Sequence, residues 1–272
     1  MNIDDLIKQA AQLIYPCKRI VAFSGAGVSA ESGISTYRDA GGLWDRYPEG
    51  SSGGILTVLA NHPEDGPQIL KDMMGSFSKA VPNPGHIALA ELEKMGYLKA
   101  VVTQNVDNLH NEAGNSTVYE LHGNLFRLKC LSCGKKKTFK RDDYFKLIFN
   151  IFGSLNSFQL ADIFSKLPLC SCGGNSRIDF VGFGEQVQDL NPAMNEAANC
   201  ELILVLGTSG VVEPAASIPV IAKSKGAKVI EINPTKTVLT SICDLFLEGA
   251  TGNILPRIVD LVRQMQDSQD NA

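Results

Sequence analysis

Between Arg19 and Gly33 an unbroken apolar segment, Ile20-Val21-Ala22-Phe23, runs straight into Ser24-Gly25-Ala26-Gly27-Val28-Ser29-Ala30-Glu31-Ser32-Gly33. So short an apolar run reads as a buried strand, and the small residues after it as a tight turn into a helix. Gly25 and Gly27 lack a Cβ and can take positive φ, so the backbone there can approach a ligand closely. A helix opening at this point aims its unpaired N–H groups and its dipole at an anion. The spacing departs from G-x-G-x-x-G only in placing Ala30 at the last position, where the pattern also admits alanine. A plain strand–helix turn would use the same residues, so this stretch alone leaves both readings open.

At 272 residues the chain can build a full core, in one large domain with inserted pieces. Its 44% hydrophobic and 20% charged content is ordinary for a globular protein, and a formal net charge of −4 gives no reason to expect a nucleic-acid or membrane surface. Lys135-Lys136-Lys137 reads as a solvated loop. No segment approaches the ~18 apolar residues of a membrane span, and the N-terminus lacks a secretion-signal pattern, so the cytoplasm is the expected compartment. Of seven cysteines, Cys130, Cys133, Cys170 and Cys172 form two close pairs, while Cys17, Cys200 and Cys243 are scattered. An odd count with paired spacing suits a metal site in a reducing compartment better than a disulfide framework.

Residues 2–14 have the apolar spacing of an amphipathic helix. Tyr37 to Gly54 reads as a long irregular loop bearing the only tryptophan, Trp44, and residues 55–80 as short helices of a cap. Asn83 and Pro84 open a helix over 86–95 that Gly96 ends. Strand-like runs follow at 99–103 and 118–121. Residues 127–177 change character, with both cysteine pairs around a Phe-rich helical segment, Asp142 to Phe164. Strands at 180–183, 202–206, 228–232 and 244–247 then alternate with helices at 192–199, 214–225 and 253–265, and the tail after Gln266 reads as frayed. The expected fold is α/β, a Rossmann-like doubly wound parallel sheet with a smaller inserted zinc-binding and helical domain. The Rossmann-like part takes 1–44, 83–126 and 178–267, the cap and its loop 45–82, and the small module 127–177.

In such a sheet, ligands bind beyond the carboxyl ends of the strands. Four strand ends carry polar or Gly-rich sequences: Gly25-Ala26-Gly27, Gln104-Asn105-Val106-Asp107, Gly207-Thr208-Ser209 and Asn233-Pro234-Thr235. Their convergence on one edge favours a nucleotide cleft over four unrelated turns. With Tyr37-Arg38, Asn108-Leu109-His110, Glu120-Leu121-His122-Gly123, Phe183-Gly184-Glu185, Pro214-Ala215-Ala216 and Ile232-Asn233, these motifs stand in the order found in the sirtuin family of NAD-dependent protein deacylases. The chain resembles that family from about residue 20 to residue 262.

The resemblance implies NAD as co-substrate, structural zinc, and acylated lysines of protein substrates as partners, bound as an extended strand. A monomer is compatible with it. It makes His122 the general base; an imidazole with pKa near ~6.5 can take a ribose hydroxyl proton at neutral pH. In the family's mechanism the acyl-lysine carbonyl oxygen attacks the nicotinamide ribose, nicotinamide leaves, and the activated hydroxyl attacks the resulting imidate. The products are free lysine, nicotinamide and O-acyl-ADP-ribose. Asn105 and Asp107 would hold the ribose and the nicotinamide amide, Asn offering donor and acceptor and Asp an acceptor. For Asp107 the plainer role is a cap on the next helix. For His86 and His110, on helical patterns, it is a structural one. Gly25, Ala26, Gly27, Ser29, Tyr37, Arg38, Trp44, Gln104 and Val106 complete the first half of the cofactor site. Gly207, Thr208, Ser209, Asn233, Pro234, Thr235 and Thr251 form the adenosine side. Val181, Gly182, Phe183, Gly184 and Glu185 would line the acyl-lysine tunnel, and Val212 and Glu213 the peptide strand.

Cys130-x-x-Cys133 fits a zinc knuckle, whereas Cys170-x-Cys172 is one residue tighter than usual and relies on Gly173-Gly174 to close. Four thiolates make a closed, structural site, with redox use of the thiols as the alternative. Ser35, Tyr37 and Gly182 depart from the family's common residues. Family members that remove acidic acyl groups carry a Tyr and an Arg at the positions held here by Leu70 and Met73. An apolar pocket leaves a carboxylate unpaired, so acetyl or longer apolar groups are expected over succinyl or malonyl. An ADP-ribosyltransferase or NAD hydrolase on the same site, and a non-enzymatic NAD-sensing module, are the other readings.

Overall fold

The apolar runs become strands. In the computed structural model, which describes residues 2–36, 42–152 and 166–270, the first three are β1 (Ile20–Ser24), β2 (Leu98–Thr103) and β3 (Val118–Glu120). Next come β4 (Gly123–Cys130), β5 (Lys136–Thr138) and β6 (Ser176–Phe180), then β7 (Leu202–Leu206), β8 (Lys228–Asn233) and β9 (Leu245–Glu248). Six of them form one sheet in the order β3-β2-β1-β7-β8-β9, every pair parallel. The order runs outward from β1 in one direction and from β7 in the other, the doubly wound arrangement whose reversal point lies between those two strands.

Helices cover both faces. The first five are α1 (Ile3–Ile14), α2 (Leu43–Arg46), α3 (Gly50–Asn61), α4 (Gly66–Lys79) and α5 (Pro84–Lys94). They are followed by α6 (Leu109–Ala113), α7 (Arg141–Phe152), α8 (Leu190–Ala198), α9 (Ser217–Ser224) and α10 (Thr251–Asp270). Every residue of β1 and β7 is buried, as strands covered on both sides must be. Ala22, Leu204 and Ile230 face α1, α5 and α10, where Ile14, Leu89 and Val259 complete one core. Phe23, Val205 and Val229 face α8 and α9, where Ala197 and Ile218 complete the other. Asn83 caps α5 through its side chain, accepting from the Gly85 amide at 2.9 Å. Among the described residues no helix is long and apolar enough to cross a membrane.

Four details differ from expectation. The glycine-rich stretch before residue 54 is partly helical: α2 and the start of α3 occupy it, and α3 breaks only where Gly54 takes φ 75°. No strand of the large sheet runs over 180–183; β6 ends at Phe180 and pairs antiparallel with β4, in a small sheet ordered β5-β4-β6. Of that stretch Phe180 packs in the small module, while Phe183 is exposed. Residues 267–270 are helical rather than frayed, since α10 continues to Asp270 and the Tyr15 hydroxyl donates to the Gln269 side chain; 271 and 272 lie outside the described residues. The Phe-rich helix is α7, and the remainder of its expected span, 153–165, lies outside the described residues.

The small sheet is locked to the large one by a part-buried charge cluster. Arg127 on β4, its side chain 16% exposed, pairs with Glu120 at 2.7 Å and with Asp179 on β6 at 2.6 Å, and Asp179 is 1% exposed. Burial alone would raise the Asp179 carboxyl, but hydrogen bonds from Arg127, Gln188 and Lys136 outweigh it and hold the group below its ordinary value. Removing Arg127 takes the cation from Glu120 and leaves Asp179 to the more exposed Lys136 at 3.1 Å. Arg127→Met is therefore expected to cost about 3–5 kcal/mol in urea denaturation at neutral pH. The depressed Asp179 stabilises the native protein above its unfolded pKa, and that gain is lost as pH falls through its native one. The gap between wild type and variant should narrow on acidification.

Candidate active site

The β1 turn is built for contact with the β7 turn. It continues as a 3-10 helix (Ala26–Ser32) rather than the expected α-helix. Nor do Gly25 and Gly27 use positive φ, Gly25 being extended. What they supply is missing volume. A Cβ on Gly27 would stand 2.8 Å from the Gly207 Cα, and one on Gly25 2.8 Å from the Thr208 Cβ. The Gly27 amide donates to the Gly207 carbonyl at 2.8 Å, while Gly207 itself takes φ 53°, a conformation only glycine adopts without strain. The Gly25 and Val28 amides are also bonded inside the protein, to the Leu206 and Gly25 carbonyls, so the turn offers an anion fewer free amides than its sequence promised.

The turn after β2 docks on this pair. Gln104 Nε2 donates to Thr208 Oγ1 at 2.9 Å, and Asn105 Nδ2 donates to the Gly25 carbonyl at 3.0 Å and to Ser29 Oγ at 3.1 Å. The Ser29 hydroxyl donates in turn to Asp107 Oδ2 at 2.6 Å, and Asp107 Oδ1 accepts from the Leu109 amide at 2.9 Å. Asp107 thus caps α6 with one oxygen and holds the β1 turn with the other. Burial pushes its carboxyl up, against the pull of Ser29, Leu109 and the Arg141 charge.

His122 lies between β3 and β4, with Nδ1 at 3.0 Å from the Gln104 carbonyl. A carbonyl can only accept, so Nδ1 carries the proton and Nε2 is the basic atom. Burial lowers the His122 pKa, and the Gln104 carbonyl works the other way. His86 and His110 lie 4.8 Å apart and buried; desolvation lowers both, His86 to about 4, and His110 Nε2 meets Ser24 Oγ at 2.9 Å. They are neutral core groups.

On the far side of the reversal point, Asn233 is buried and donates to the Thr235 carbonyl at 3.0 Å, with Pro234 between them. Thr251, also buried, opens α10, whose Gly252 amide donates to Glu31 Oε2 of the β1 turn at 2.7 Å. Ser209 and Glu213 are exposed, and Glu213 accepts from the Ser217 hydroxyl at 2.6 Å.

In the small module, Cys130 Sγ lies 3.6 Å from Cys172 Sγ, and Cys133 Sγ 3.8 Å from Cys170 Sγ, with all four ligand atoms within 4.8 Å of one another. Four thiolates at the zinc–sulfur bond length around one tetrahedral ion stand about 3.8 Å apart. The donor set fits zinc. The tight Cys170-Ser171-Cys172 turn closes because Gly173 takes φ 82° and donates to the Cys170 carbonyl at 2.8 Å. Hydrogen bonds from the Cys133 and Ser132 amides bring the Cys130 thiol down to about 6, toward the ligating thiolate.

The profile of the Sir2 family matches residues 25–214, which span the β1, β2 and β7 turns and all four cysteines. The chain belongs to the Sir2 family. A relative in Desulfosudis oleivorans, named NAD-dependent protein deacylase, is 46% identical over 270 residues, 98% of this chain and 99% of that one. A Pyrococcus furiosus relative of the same name is 41% identical over 263 residues, covering 96% and 99%. Among solved structures, a Sir2 homologue in complex with NAD is similar at TM-score 0.73 and 39% identity, covering 96% of this chain and 94% of that one. A Sir2 homologue bound to ADP-ribose reaches TM-score 0.77 at 37% identity, covering 95% and 97%.

Other expected residues of this Sir2-family chain sit farther out. Trp44, Leu70 and Met73 pack in the cap around Val58, Leu59 and Ile69, with Trp44 lying against Gly50. The exposed Phe183 lays its ring over Gly54 of α3, between the cap and the small sheet. Val181 and Gly182 are half-buried beside it, and the Val181 amide donates to the His122 carbonyl at 2.8 Å. Glu185 is tied to Arg177 at 2.5 Å and accepts from the Gly182 amide at 3.0 Å. Gly184 and Val212 lie in the flanking loops. Tyr37 and Arg38 lie outside the described residues. Thr103 opens the Gln104–His110 motif without an expected role, and its hydroxyl accepts from Ser24 Oγ and the Asn105 amide. Sequence reasoning missed Arg141, which reaches the Asp107 carbonyl from α7, since an arginine opening a helix carries no motif. Purified protein is expected to hold a single zinc equivalent, read by elemental analysis. Cys172→Ser should lose it and lower the thermal midpoint, because binding the metal and folding the module are one process.

Proposed function

We propose that this protein is an NAD-dependent protein-lysine deacylase, releasing nicotinamide, O-acyl-ADP-ribose and free lysine. The observation that carries the reading is the bonded junction of the β1, β2 and β7 turns, with His122 held on the Gln104 carbonyl beside it. NAD supplies the ribose carbon that accepts the acyl oxygen. The residues of the chain bind and orient. The Gly25–Gly27 and Gly207–Ser209 turns border the pyrophosphate, with Ser29 and Arg38; Asn233, Pro234, Thr235 and Thr251 take the adenosine. Tyr37 is assigned to the cofactor as its sequence motif implies, and Trp44 would border it from α2 of the cap. Gln104, Asn105, Val106 and Asp107 hold the nicotinamide ribose and amide, and the bond from Ser29 presets the Asp107 carboxylate. His122 Nε2 takes the ribose hydroxyl proton while Nδ1–H stays on Gln104. Acyl-lysine enters between Val181–Glu185 and the Val212–Glu213 loop, beside which the substrate adds as an extended strand, and its acyl chain meets Leu70 and Met73 in the cap. Structures of relatives with a deacetylated peptide and with a myristoylated histone peptide support a peptide partner. Zinc on Cys130, Cys133, Cys170 and Cys172 is structural. The proposed division is a Rossmann-like domain (1–44, 83–126 and 178–267), a cap (45–82) and a zinc module (127–177), in a cytoplasmic enzyme.

Mass spectrometry of acetyl-, myristoyl- and succinyl-lysine peptides tests the reading. Acetyl or myristoyl loss that strictly needs NAD is expected, with succinyl removed at least tenfold more slowly, because an unpaired buried carboxylate is costly. Nicotinamide release with every peptide intact would contradict it. Because burial lowers the His122 pKa, kcat should persist below the ordinary histidine midpoint and fall only as pH drops through the lowered value. His122→Ala should bind NAD and fail to turn over.

A further inference from the structure

Arg141 opens α7 in the small module, yet its guanidinium, 13% exposed, reaches four other parts of the chain. Nη2 donates to the Asp107 carbonyl at 2.9 Å, and Nη1 donates to the Phe77 carbonyl in the last turn of α4. Nε and Nη2 pair with Glu112 of α6 at 3.1 and 3.0 Å, and the guanidinium lies 4.4 Å over the Phe126 ring of β4. We propose that Arg141 is a positioning residue for the cofactor loop, fixing the peptide plane between Asp107 and Asn108 so that Asn105 and Asp107 face the nicotinamide end of NAD. The assignment rests on the NAD site described above.

The backbone shows why that plane needs an anchor. Asn108 takes φ 66°, a left-handed conformation that asparagine tolerates better than most residues but that is still less populated than ordinary backbone, so a bond to the preceding carbonyl helps to hold it. The Asp107 carboxylate is committed to Ser29 and to the Leu109 amide, so the side chain is fixed from the Rossmann-like domain. The carbonyl of the same residue is fixed from the small module. An arginine suits this because its rigid fork spans several acceptors at once, where a lysine offers a point charge.

Arg141 also sets the charge around Asp107. The charged groups that face the carboxylate are Arg141 from α7 and Glu112 from α6, and Ser29 meets it as a neutral donor. Arg141 draws the Asp107 pKa down against burial, and Glu112 pushes it up. Without Arg141 the peptide loses its anchor and Glu112 stands as an unopposed negative charge. Asp107 then protonates at higher pH, and the neutral carboxyl accepts more weakly from an amide NH₂ than the carboxylate does.

The test is calorimetric titration of NAD into zinc-loaded wild type, Arg141→Gln and Arg141→Lys across the acid range, with zinc content and thermal midpoint as checks on folding. Arg141→Gln is expected to weaken NAD binding about tenfold to a hundredfold, the usual effect of losing charged hydrogen bonds, and to move the acid limb of binding to higher pH. Arg141→Lys should return the acid limb toward wild type, because the charge is restored, while affinity stays at least about threefold down for want of the fork. If Arg141→Gln does not fold, Arg141→Lys alone decides by its affinity. A Lys variant that binds NAD as tightly as wild type at every pH, with only its thermal midpoint lowered, would make Arg141 a structural residue and overturn the proposal. Wild type that binds no NAD would instead sink the NAD reading itself, and this assignment with it.

Discussion

The turn after β1 and the turn after β7 touch backbone to backbone, with no side chain between them. The rest of the architecture follows from that contact. The two strands are neighbours at the reversal point of the sheet, so their turns part over a crevice unless something holds them. Gly25, Gly27 and Gly207 hold them by having nothing to insert, and the bond from the Gly27 amide to the Gly207 carbonyl closes the approach. Gln104 and Asn105 then bridge the same two turns from β2. A single methyl group at Gly27 would separate strands whose ends are otherwise bonded into one rim.

Around that rim two arginines bind three layers together. Arg127 joins the small sheet to the end of β3 through Asp179 and Glu120. Arg141 joins α7 to the cap, the β2 turn and α6. Both cations come from the cysteine-bearing module, so contacts made by that module border the cleft. The module's core also contains Leu109, the first residue of α6. Folding of the small module and shaping of the cofactor loop are therefore not independent.

Much of this was legible in the sequence, for identifiable reasons. Strands buried on both faces are largely apolar, which made β1, β7 and β8 plain, although β8 also buries Glu231. Asn83-Pro84 announced α5 through elementary capping chemistry. The cysteine pairs needed only their spacing. What failed depended on partners distant in the chain. The run at Phe180 looked like a sheet strand because its apolar face packs against α7 and β4, and periodicity cannot say which sheet claims a strand. Of the two properties glycine offers at Gly25 and Gly27, the structure uses the missing Cβ and not positive φ, a choice the letter alone does not make. The Ser29–Asp107 bond joins residues of two motifs, yet its geometry was invisible until the turns met. Arg141 carried no signal at all.

The measurement that tests the account most directly is hydrogen exchange with and without NAD. The account predicts slowed amide exchange at 24–33, 103–109, 207–210, 233–235 and 251–254, the strand ends brought together at the reversal point, with little change in α3 and α4. Protection absent from the turns after β1 and β7, or concentrated on the cap or the cysteine-bearing sheet, would contradict the placing of the cofactor on which the whole reading of the cleft depends.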